Sequence, residues 1–373
     1  MTRARELANL GNSTTDLEAI NAVYDAGGLT GHNLIINGAM QVAQRGTSST
    51  SQTTGGYKTV DRFYHQIFNF GTWDITQDTD VPTGQGFAKS AKWVCTTADA
   101  SPATNDHLVF YQMIEAQNLQ RLKYGTSNAN SLTASFWVKS NKTGIYTIEL
   151  YKPDQTVQQI SKTISITSAD TWEYKTVTFP GNTLSGIDND NGIGLYFFFW
   201  LGTGPDYNSG TFTNGSWANA VDANRASSSN VNLGDSTSNY INFTGIQLEI
   251  GNTATPFEHR SYGDELRRCQ RYFVRLIDDA LYSDICNVSA WTTTQARGVV
   301  YLPPMRAAQT LSSSGAFQVL GLGSTTSLAI TTSGADTSPS SITTTGTGYT
   351  TGYSGTLRTN NDADAYIDFD AEL

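Results

Sequence analysis

The sequence predicts a mainly β protein whose domains are joined by short helical segments. Charged residues make up 15 per cent of the chain and aromatic residues 11 per cent, while glycine occupies 34 positions. This composition favours strands with uncharged polar loops over disorder. Period-two alternation of apolar side chains, interrupted by turn dipeptides, recurs along most of the chain. At 373 residues, two or three domains are expected.

Residues 1–30 differ in character from the rest and predict a short helical segment. A helix-like stretch ends at Gly11, and a second helix begins near Thr14 with Asp16 in its first turn. Its narrow apolar stripe consists of Leu17, Ile20, Val23 and Tyr24. Because so short a helix is marginal alone, it needs a partner. That partner is either the domain that follows or copies of the same helix around a symmetry axis.

Residues 31–258 predict one large antiparallel β-domain. Its predicted strands are Leu34–Val42, Arg62–Thr76, Ala88–Thr96, Leu108–Glu115, Ser131–Ser140, Gly144–Lys152, Gln159–Ile166, Glu173–Phe179, Gly192–Leu201 and Tyr240–Ile250. The single helical interval predicted among them is Gln117–Tyr124. Strands at this spacing favour a sandwich, and a jelly roll is the architecture we predict. In a jelly roll the first and last strands commonly lie near each other.

The stretch 259–275 predicts a short connector helix. Ser261 can cap it, and Asp264 and Glu265 fill its first turn. Its apolar face would consist of Leu266, Cys269, Tyr272 and Phe273. Its last turn carries Arg267, Arg268 and Arg271, which with Arg275 form the densest basic cluster of the chain. Balancing the helix dipole is the ordinary role of such a cluster.

Residues 276–373 predict a smaller C-terminal β-sandwich. The predicted strands are Ile285–Val288, Gln295–Tyr301, Ala316–Leu320, Ser327–Thr331, Ser341–Thr344, Gly355–Thr359 and Ala365–Phe369. Residues 324–355 are rich in Ser, Thr and Gly, which is typical of low-complexity segments. Because alternating strands follow, we predict folded loops here.

Several stretches resemble one known family. NLIINGAMQVAQRGTS (33–48) with TVDRF (59–63), and GIQLEIG (245–251) with TPFEHRSYGDELRRCQRYF (255–273), resemble the two ends of a module of bacteriophage tail-fibre proteins. TRARELANLG resembles the N-terminal segment of some fibres, and YLPPMRAAQTL and DADAYIDFDAEL resemble their C-terminal domain. The resemblance implies a homotrimer that attaches through its N-terminus to other tail or baseplate proteins. The large domain is also similar in pattern to the jelly rolls of carbohydrate-binding modules.

Charge and hydropathy exclude several classes of function. A net charge of −10 and a pI near 4.8 disfavour nucleic-acid binding, which needs clustered Lys and Arg. No apolar run approaches the roughly 18 residues of a membrane span, so membrane insertion is not expected. The N-terminus lacks the pattern of a secretory signal, which predicts synthesis in a host cytoplasm. Three cysteines at irregular spacing argue against a disulfide scaffold or a zinc site.

No recognisable catalytic motif is present, and we predict binding without turnover, hence no enzyme. A glycosidase needs two carboxylates about 5 to 10 Å apart. Asp188 with Asp190, and Glu149 with Glu173, are the candidate pairs, but acids in an Asp-Asn-Asp-Asn loop are typical of turns. No cofactor or metal is predicted. Part of a calcium-loop pattern at 188–192 leaves a structural calcium open. The similarity to carbohydrate-binding jelly rolls implies Glu249, near the end of the domain, as another such position.

Three aromatic side chains are candidate glycan contacts, because aromatic planes suit the CH faces of sugar rings. Trp217 lies in the long polar segment 202–239, where it either stacks on a sugar or anchors the segment to its own domain. Tyr349 and Tyr353 lie in the loop GTGYTTGYSG and are either contacts or ordinary turn tyrosines.

The leading hypothesis is therefore a phage tail-fibre subunit in the virion tail. It would bind host surface polysaccharide through its β-domains, with avidity from several copies. One alternative is a glycan-depolymerising tailspike, which the missing β-helix repeats disfavour. Another is a head fibre or decoration protein, which the sequence does not separate from a tail fibre.

Overall fold

The computed structural model describes residues 31–212, 214–277, 281–330 and 340–373. The chain forms two compact units. Among the described residues, one unit contains residues 31–41 together with Thr47–Arg260, and the other combines Val42–Gly46 with Ser261–Leu373. The predicted connector helix therefore belongs to the second unit. The helical segment predicted for residues 1–30 lies outside the described residues. Among the helices of the described ranges, none is long and apolar enough to cross a membrane.

The first unit is an antiparallel β-sandwich, as predicted. Its strands are β1 (Ser48–Gln52), β2 (Gly56–Tyr57), β3 (Phe63–Phe68), β4 (Thr72–Asp78), β5 (Ser90–Thr97), β6 (His107–Glu115), β7 (Leu132–Ser140), β8 (Gly144–Lys152), β9 (Gln158–Ile166), β10 (Glu173–Phe179), β11 (Ile193–Thr203), β12 (Ala218–Asn219) and β13 (Tyr240–Ile250). Six of them form a sheet in the order β1-β4-β5-β13-β7-β10. Seven form the other sheet, β12-β9-β8-β11-β6-β3-β2. The chain crosses between the sheets at most connections, as in a jelly roll.

One apolar core fills the space between the two sheets. Phe136 and Phe243 enter it from the six-stranded sheet, and Phe110 and Phe199 enter it from the seven-stranded sheet. The rings of Phe136 and Phe199 are 5.0 Å apart, and those of Phe110 and Phe243 are 5.4 Å apart. Because alternate side chains of a strand enter the core, the intervening ones form an outer face on each sheet.

The predicted strand Leu34–Val42 is wrong. Asn37 and Met40 have left-handed φ values of 62° and 57°, which end any extended run. Side-chain hydrogen bonds replace a strand ladder here. The amide of Gln112 accepts from the N–H of Ile36 at 2.8 Å and donates to its carbonyl at 2.8 Å. The apolar alternation therefore reflects burial of a coiled segment.

Two further predicted elements differ in kind. The strand predicted at Arg62–Thr76 is divided into β3 and β4, because Asn69 and Gly71 have φ values of 48° and 68° and turn the chain. The helix predicted at Gln117–Tyr124 is a 3₁₀ helix, Ala116–Leu122. The other short helices of this unit are α1 (Pro205–Asn208) and the 3₁₀ turns Asp222–Asn224 and Leu233–Asp235.

The beginning and the end of the first unit contact each other. The carboxylate of Glu258 accepts from the backbone N–H groups of Gly31 at 2.6 Å and of Asn33 at 2.8 Å. The guanidinium of Arg260 donates to the carbonyl oxygens of Asn33 at 2.5 Å and of Ile35 at 3.0 Å. The stretches that open and close the domain in sequence are thus one hydrogen-bonded structure.

The second unit contains α2 (Tyr262–Gln270) and short antiparallel strands. The strands are β14 (Phe273–Ile277), β15 (Asp284–Ala290), β16 (Gln295–Val300), β17 (Thr310–Ser314), β18 (Phe317–Leu320), β19 (Gly323–Ile330), β20 (Ser340–Thr347), β21 (Ser354–Thr359) and β22 (Tyr366–Asp370). The predicted second sandwich is replaced by a closed barrel, β15-β16-β20-β19-β18-β21, and a separate sheet, β14-β22-β17. Alternation alone does not distinguish these cases, because both bury one face of each strand. Closure pairs every barrel strand on both sides and leaves no open edge.

Helix α2 follows the prediction at its start and is shorter at its end. The Ser261 hydroxyl accepts from the N–H of Asp264 at 3.2 Å, as an N-cap does. The helix ends at Gln270 because Phe273 already begins β14. Segment 42–46 packs within this unit, where Arg45 pairs with Asp370 at 3.2 Å and with Glu372 at 3.4 Å.

Candidate functional site

The outer face of the seven-stranded sheet carries a row of aromatic rings. Strand β11 places Leu195, Phe197, Phe199 and Leu201 in the core. The alternate residues Tyr196, Phe198 and Trp200 therefore project from the opposite face. Neighbouring strands add rings on this same face, and the complete aromatic row is Tyr64, Tyr111, Tyr151, Tyr196, Phe198 and Trp200.

Strand register brings these rings into contact. Tyr64 of β3 lies opposite Tyr111 of β6, and their rings stack at 5.0 Å. Tyr111 lies opposite Phe198 of β11, with ring centroids 4.7 Å apart. Tyr196 stacks on Phe198 at 5.1 Å and meets Tyr151 of β8 at 5.8 Å. The aromatic row therefore crosses four adjacent strands without a gap.

The segment 202–239 builds a wall beside this row. Helix α1 places the ring of Tyr207 5.3 Å from Trp200 and 4.9 Å from His107. Wall and sheet border an open cleft of about 160 Å³. Its lining residues are Gln66, His107, Val109, Tyr111, Phe198, Trp200, Tyr207 and Arg225. The described residues of this long polar segment thus form one side of a cleft.

Arg225 ties the wall to the sheet through a buried ion pair. Its Nε donates to Oε1 of Glu149 at 3.0 Å, and its NH2 group donates to Oε2 at 3.1 Å. The indole N–H of Trp200 donates to the same Oε2 at 2.8 Å. Burial raises the pKa of Glu149, against the lowering effect of the Arg225 charge and of these hydrogen bonds. With both oxygens bonded, the carboxylate positions Arg225 and does not face the cleft as a free acid.

The guanidinium of Arg225 is also surrounded by rings. Its central carbon lies 4.6 Å from the ring centroid of Tyr151, 5.0 Å from that of Phe198 and 5.1 Å from that of Trp200. Cation–π attraction and the bidentate pair together fix the side chain. The floor and the wall of the cleft are therefore held in place without any ligand.

Several polar groups that line the cleft have no hydrogen-bond partner among the described residues. Within the part of the chain that the structure describes, no hydrogen bond is formed by the amide of Gln66 or by the phenol of Tyr111 or Tyr207. The Nδ1 of His107 donates to the carbonyl of Asn105 at 2.9 Å, which leaves Nε2 as an acceptor. Burial lowers the pKa of His107, which keeps the imidazole neutral at pH 7. The cleft thus offers neutral donors and acceptors beside flat apolar surfaces.

The three glycan contacts predicted from sequence lie elsewhere. Trp217 meets Tyr124 at 5.6 Å, and its indole N–H donates to the carbonyl of Pro180 at 2.8 Å, which favours the interpretation that it anchors the segment 202–239. The expectation for Tyr349 is wrong, because its side chain is 3 per cent exposed in the barrel core. Tyr353 is 64 per cent exposed and stays a prediction.

The carboxylates of the candidate catalytic pairs form hydrogen bonds and ion pairs with neighbouring protein groups. Glu173 accepts from the backbone N–H groups of Thr167 and Ser168, both at 2.8 Å, and pairs with Lys175 at 2.5 Å. Glu149 is committed to Arg225, so the two acids do not form a catalytic pair. An oxygen of Asp190 accepts from the N–H of Gly192 at 2.8 Å, as a turn former does.

Glu249, the other position considered for calcium, bonds to its own neighbours. Its carboxylate accepts from the N–H of Thr255 at 2.8 Å, from the hydroxyl of Thr255 at 2.7 Å and from the amide of Gln247 at 2.9 Å. Among the described residues, no group of three or more His, Cys, Asp or Glu side chains is placed to hold a metal ion.

Sequence reasoning missed the aromatic row, although one signal was present. The run LYFFFWL (195–201) has aromatic residues at both odd and even positions. An ordinary strand of a half-exposed sheet alternates apolar with polar residues. Aromatic residues on both faces therefore indicate that the outer face is covered or binds something.

Comparison with known proteins gives only distant structural likeness. No family model and no curated protein matches the sequence. The enzymatically active domain of tailspike protein 4 from bacteriophage CBA120 matches 58 per cent of this chain and 21 per cent of its own, at 13 per cent identity and a TM-score of 0.31.

Two carbohydrate-binding modules give similar values. The family 11 module from Clostridium thermocellum, in complex with a mixed-linked tetrasaccharide, matches 56 per cent of this chain and 98 per cent of its own, at 11 per cent identity and a TM-score of 0.27. The xylan-binding domain from Paenibacillus barcinonensis matches 56 per cent of this chain and 94 per cent of its own, at 9 per cent identity and a TM-score of 0.27. Likeness at this level does not by itself assign a function.

Proposed function

We propose that the first unit binds a glycan in the cleft over the seven-stranded sheet. The observation that carries this proposal is the continuous aromatic row with a wall along one side. Sugar rings present flat CH faces to aromatic planes and hydroxyl groups at their edges. The half-buried rings of Tyr64, Tyr151 and Tyr196 supply the planes, with buried Phe198 and Trp200 beneath them. Gln66, His107 and the Tyr207 phenol supply hydrogen-bond partners at the edge. Pre-fixed rings also lose little side-chain entropy on binding.

The charge of the cleft favours a neutral glycan. The positive charge of Arg225 is matched by Glu149, and His107 is neutral at pH 7. Asp222 lies 3.9 Å from Arg225 and is well exposed, so it adds negative charge at the rim. A uronic or sialic acid would find no unmatched cation here.

The biological setting that we propose is a phage tail fibre that binds host surface polysaccharide. Support comes from the resemblance of stretches 33–48, 59–63 and 245–273 to fibre modules, and from the hydrogen bonds that join the first and last of these stretches. A homotrimer in the virion tail, attached through residues 1–30 to tail or baseplate proteins, completes the proposal. Several copies would turn weak contacts into firm adsorption.

The binding proposal is tested with immobilised neutral and acidic glycans and the purified full-length chain. We expect binding to neutral glycans, lost in the double variant Tyr151→Ala with Tyr196→Ala. The control is Tyr174→Ala, a more exposed tyrosine on the other sheet. Equal binding by wild type and double variant would overturn the cleft assignment.

The same glycans separate binding from cleavage. Each bound glycan is incubated with the chain and assayed for newly formed reducing ends. We expect none, because both oxygens of Glu149, the acid buried beneath the cleft, are bonded to Arg225 and Trp200. Steady release of reducing sugar would favour the depolymerising tailspike instead.

A further inference from the structure

We propose a second binding site, on the barrel of the second unit, that takes the carboxylate of an acidic glycan. It consists of Trp291 and Arg297 on the exposed face of strands β15 and β16. Trp291 is 52 per cent exposed, although a tryptophan in a monomeric surface is usually covered. The site is independent of the cleft in the first unit.

Arg297 is held flat against Trp291. Its guanidinium carbon lies 3.7 Å from the centroid of the indole ring. The indole is itself fixed, since its N–H donates to Oε1 of Gln295 at 3.0 Å. Stacking uses the face of a guanidinium and leaves its N–H edge available for a planar anion. Both side chains are therefore oriented before any ligand arrives.

Among the described residues, the completed version of this arrangement is formed by Arg275, Arg45 and Arg225. Arg275 lies 3.7 Å from the ring of Tyr366 and donates to both oxygens of Asp368 at 2.6 Å. Arg45 lies 3.4 Å from the ring of Phe273 and pairs with Asp370. In the cleft, Arg225 stacks on Tyr151 and pairs with Glu149 in the same way.

Arg297 lacks the third member of the arrangement. In the described ranges, no Asp or Glu oxygen lies within 4.0 Å of its guanidinium nitrogens. The position that Asp368 fills beside Arg275 is thus open beside Arg297. A ligand carboxylate fits this position, because two parallel N–H donors match its two oxygens.

The surrounding strand face suits the rest of a sugar acid. Ser289 of β15 lies opposite Arg297 of β16 and opposite Ser354 of β21. The hydroxyl oxygens of Ser289 and Ser354 are 3.0 Å apart. Asn287, two residues before Ser289 on the same face, is exposed. Short hydroxyl and amide side chains beside one open indole are a surface for a hydroxyl-rich ring. The chemistry on this face therefore points to a uronic or sialic acid unit.

The test uses the full-length chain and paired glycans. Immobilised glycans that carry uronic or sialic acids are compared with their methyl esters, which keep the ring and remove the charge. A glycerol-phosphate polymer is included to separate phosphate from carboxylate. We expect binding to at least one carboxylated glycan, weaker by about ten- to a hundredfold for its ester and for Arg297→Gln. Arg268→Gln, an exposed arginine of α2, is the control of equal charge change.

Trp291→Phe and Arg297→Lys refine the result without disturbing the barrel. We expect Arg297→Lys to remain weak, since an ammonium group cannot offer two parallel donors. Trp291→Phe keeps an aromatic plane and should retain most of the affinity. The proposal is overturned if no carboxylated glycan binds better than its ester, if the phosphate polymer binds equally well, or if Arg297→Gln binds like wild type. Loss of binding to the carboxylated glycan in the double variant Tyr151→Ala with Tyr196→Ala would instead locate the site for acidic glycans in the cleft.

Discussion

The backbone N–H of Leu248 donates a hydrogen bond of 3.0 Å to Oδ1 of Asn33, a residue 215 positions earlier in the chain. The same oxygen accepts from the N–H of Ile35 at 2.9 Å, and Nδ2 of Asn33 donates to the carbonyl of Ile246 at 3.2 Å. The Asn33 side chain is buried. One amide therefore fastens the opening segment of the first unit to its last strand.

Replacing this amide should destabilise the first unit. Asn33→Ala leaves buried backbone groups of Ile35, Ile246 and Leu248 without a partner, and we expect a loss of about 3 kcal/mol in the free energy of unfolding. Tryptophan fluorescence in a urea titration measures it, because six of the seven tryptophans belong to this unit. The control is Asn252→Ala at an exposed turn. Equal unfolding midpoints for the Asn33→Ala and Asn252→Ala variants would contradict a stabilising role of the Asn33 amide.

Gly38 should tolerate no side chain. A Cβ on Gly38 would lie 2.0 Å from the carbonyl oxygen of Ile246, which is backbone and has no rotamer to change. A side chain at a glycine with left-handed φ costs ~1 kcal/mol. We expect Gly38→Ala to lower the free energy of unfolding by more than this, because its Cβ meets backbone. Gly84→Ala isolates that strain, since Gly84 has φ +77° and nothing within 4 Å. The measurement compares the unfolding midpoints of Gly38→Ala and Gly84→Ala. Similar values would refute the clash between a Cβ at Gly38 and the carbonyl oxygen of Ile246.

His65 should make the first unit sensitive to acid. Burial, with a smaller effect of the Lys58 charge, lowers the pKa of His65 from 6.5 to about 3. The unfolded chain therefore takes up this proton more readily than the folded one. The stability is fully present above pH 6.5 and is lost as the pH falls toward 3, at ~1.4 kcal/mol per pH unit.

A substitution that keeps an aromatic ring and removes the titratable nitrogens isolates this effect. The ring of His65 lies 4.7 Å from that of Trp93 and 5.3 Å from that of Phe110, and among the described residues neither of its ring nitrogens has a hydrogen-bond partner. His65→Phe should fit this aromatic environment and flatten the dependence of unfolding free energy on pH between 6 and 4. The measurement is urea unfolding at several pH values. An unchanged slope would mean that other groups control the acid response.

The ion pair of the cleft should show strong coupling. Arg225→Met leaves Glu149 buried without a cation, and we expect a loss of about 3 to 5 kcal/mol at pH 7. Burial then raises the pKa of Glu149 further, so this loss should shrink as the pH falls and the acid becomes neutral. Adding Glu149→Gln keeps an acceptor for the Trp200 N–H and should restore most of the stability. Additive single effects in this double-mutant cycle would contradict the pairing.

The sandwich was predictable from sequence because its signal is local. Alternation in 131–140 and 144–152 depends only on which side chains enter the core. The segment 34–42 failed for the same reason: Ile35, Met40 and Val42 are buried, yet no ladder forms there. Periodicity records burial and does not record where backbone hydrogen bonds go.

The aromatic row was less predictable because it depends on sheet order. Tyr64, Tyr111, Tyr151 and Tyr196 lie on four strands far apart in sequence. Only the pairing of β3 with β6, and of β11 with both β6 and β8, brings them together. Tyr349 shows the converse error, since a glycine-rich loop predicts exposure while the barrel core buries this ring.

Segment 42–46 has a consequence for synthesis on the ribosome. Arg45 is translated 325 positions before Asp370, its carboxylate partner in the second unit. At about 5 to 20 residues per second, that interval is on the order of 15 to 65 seconds. Throughout this time the segment has left the ribosome while the strand that receives it does not yet exist. The second unit is thus completed only after Asp370 and Glu372 have been translated, and a chain terminated before them cannot form these ion pairs.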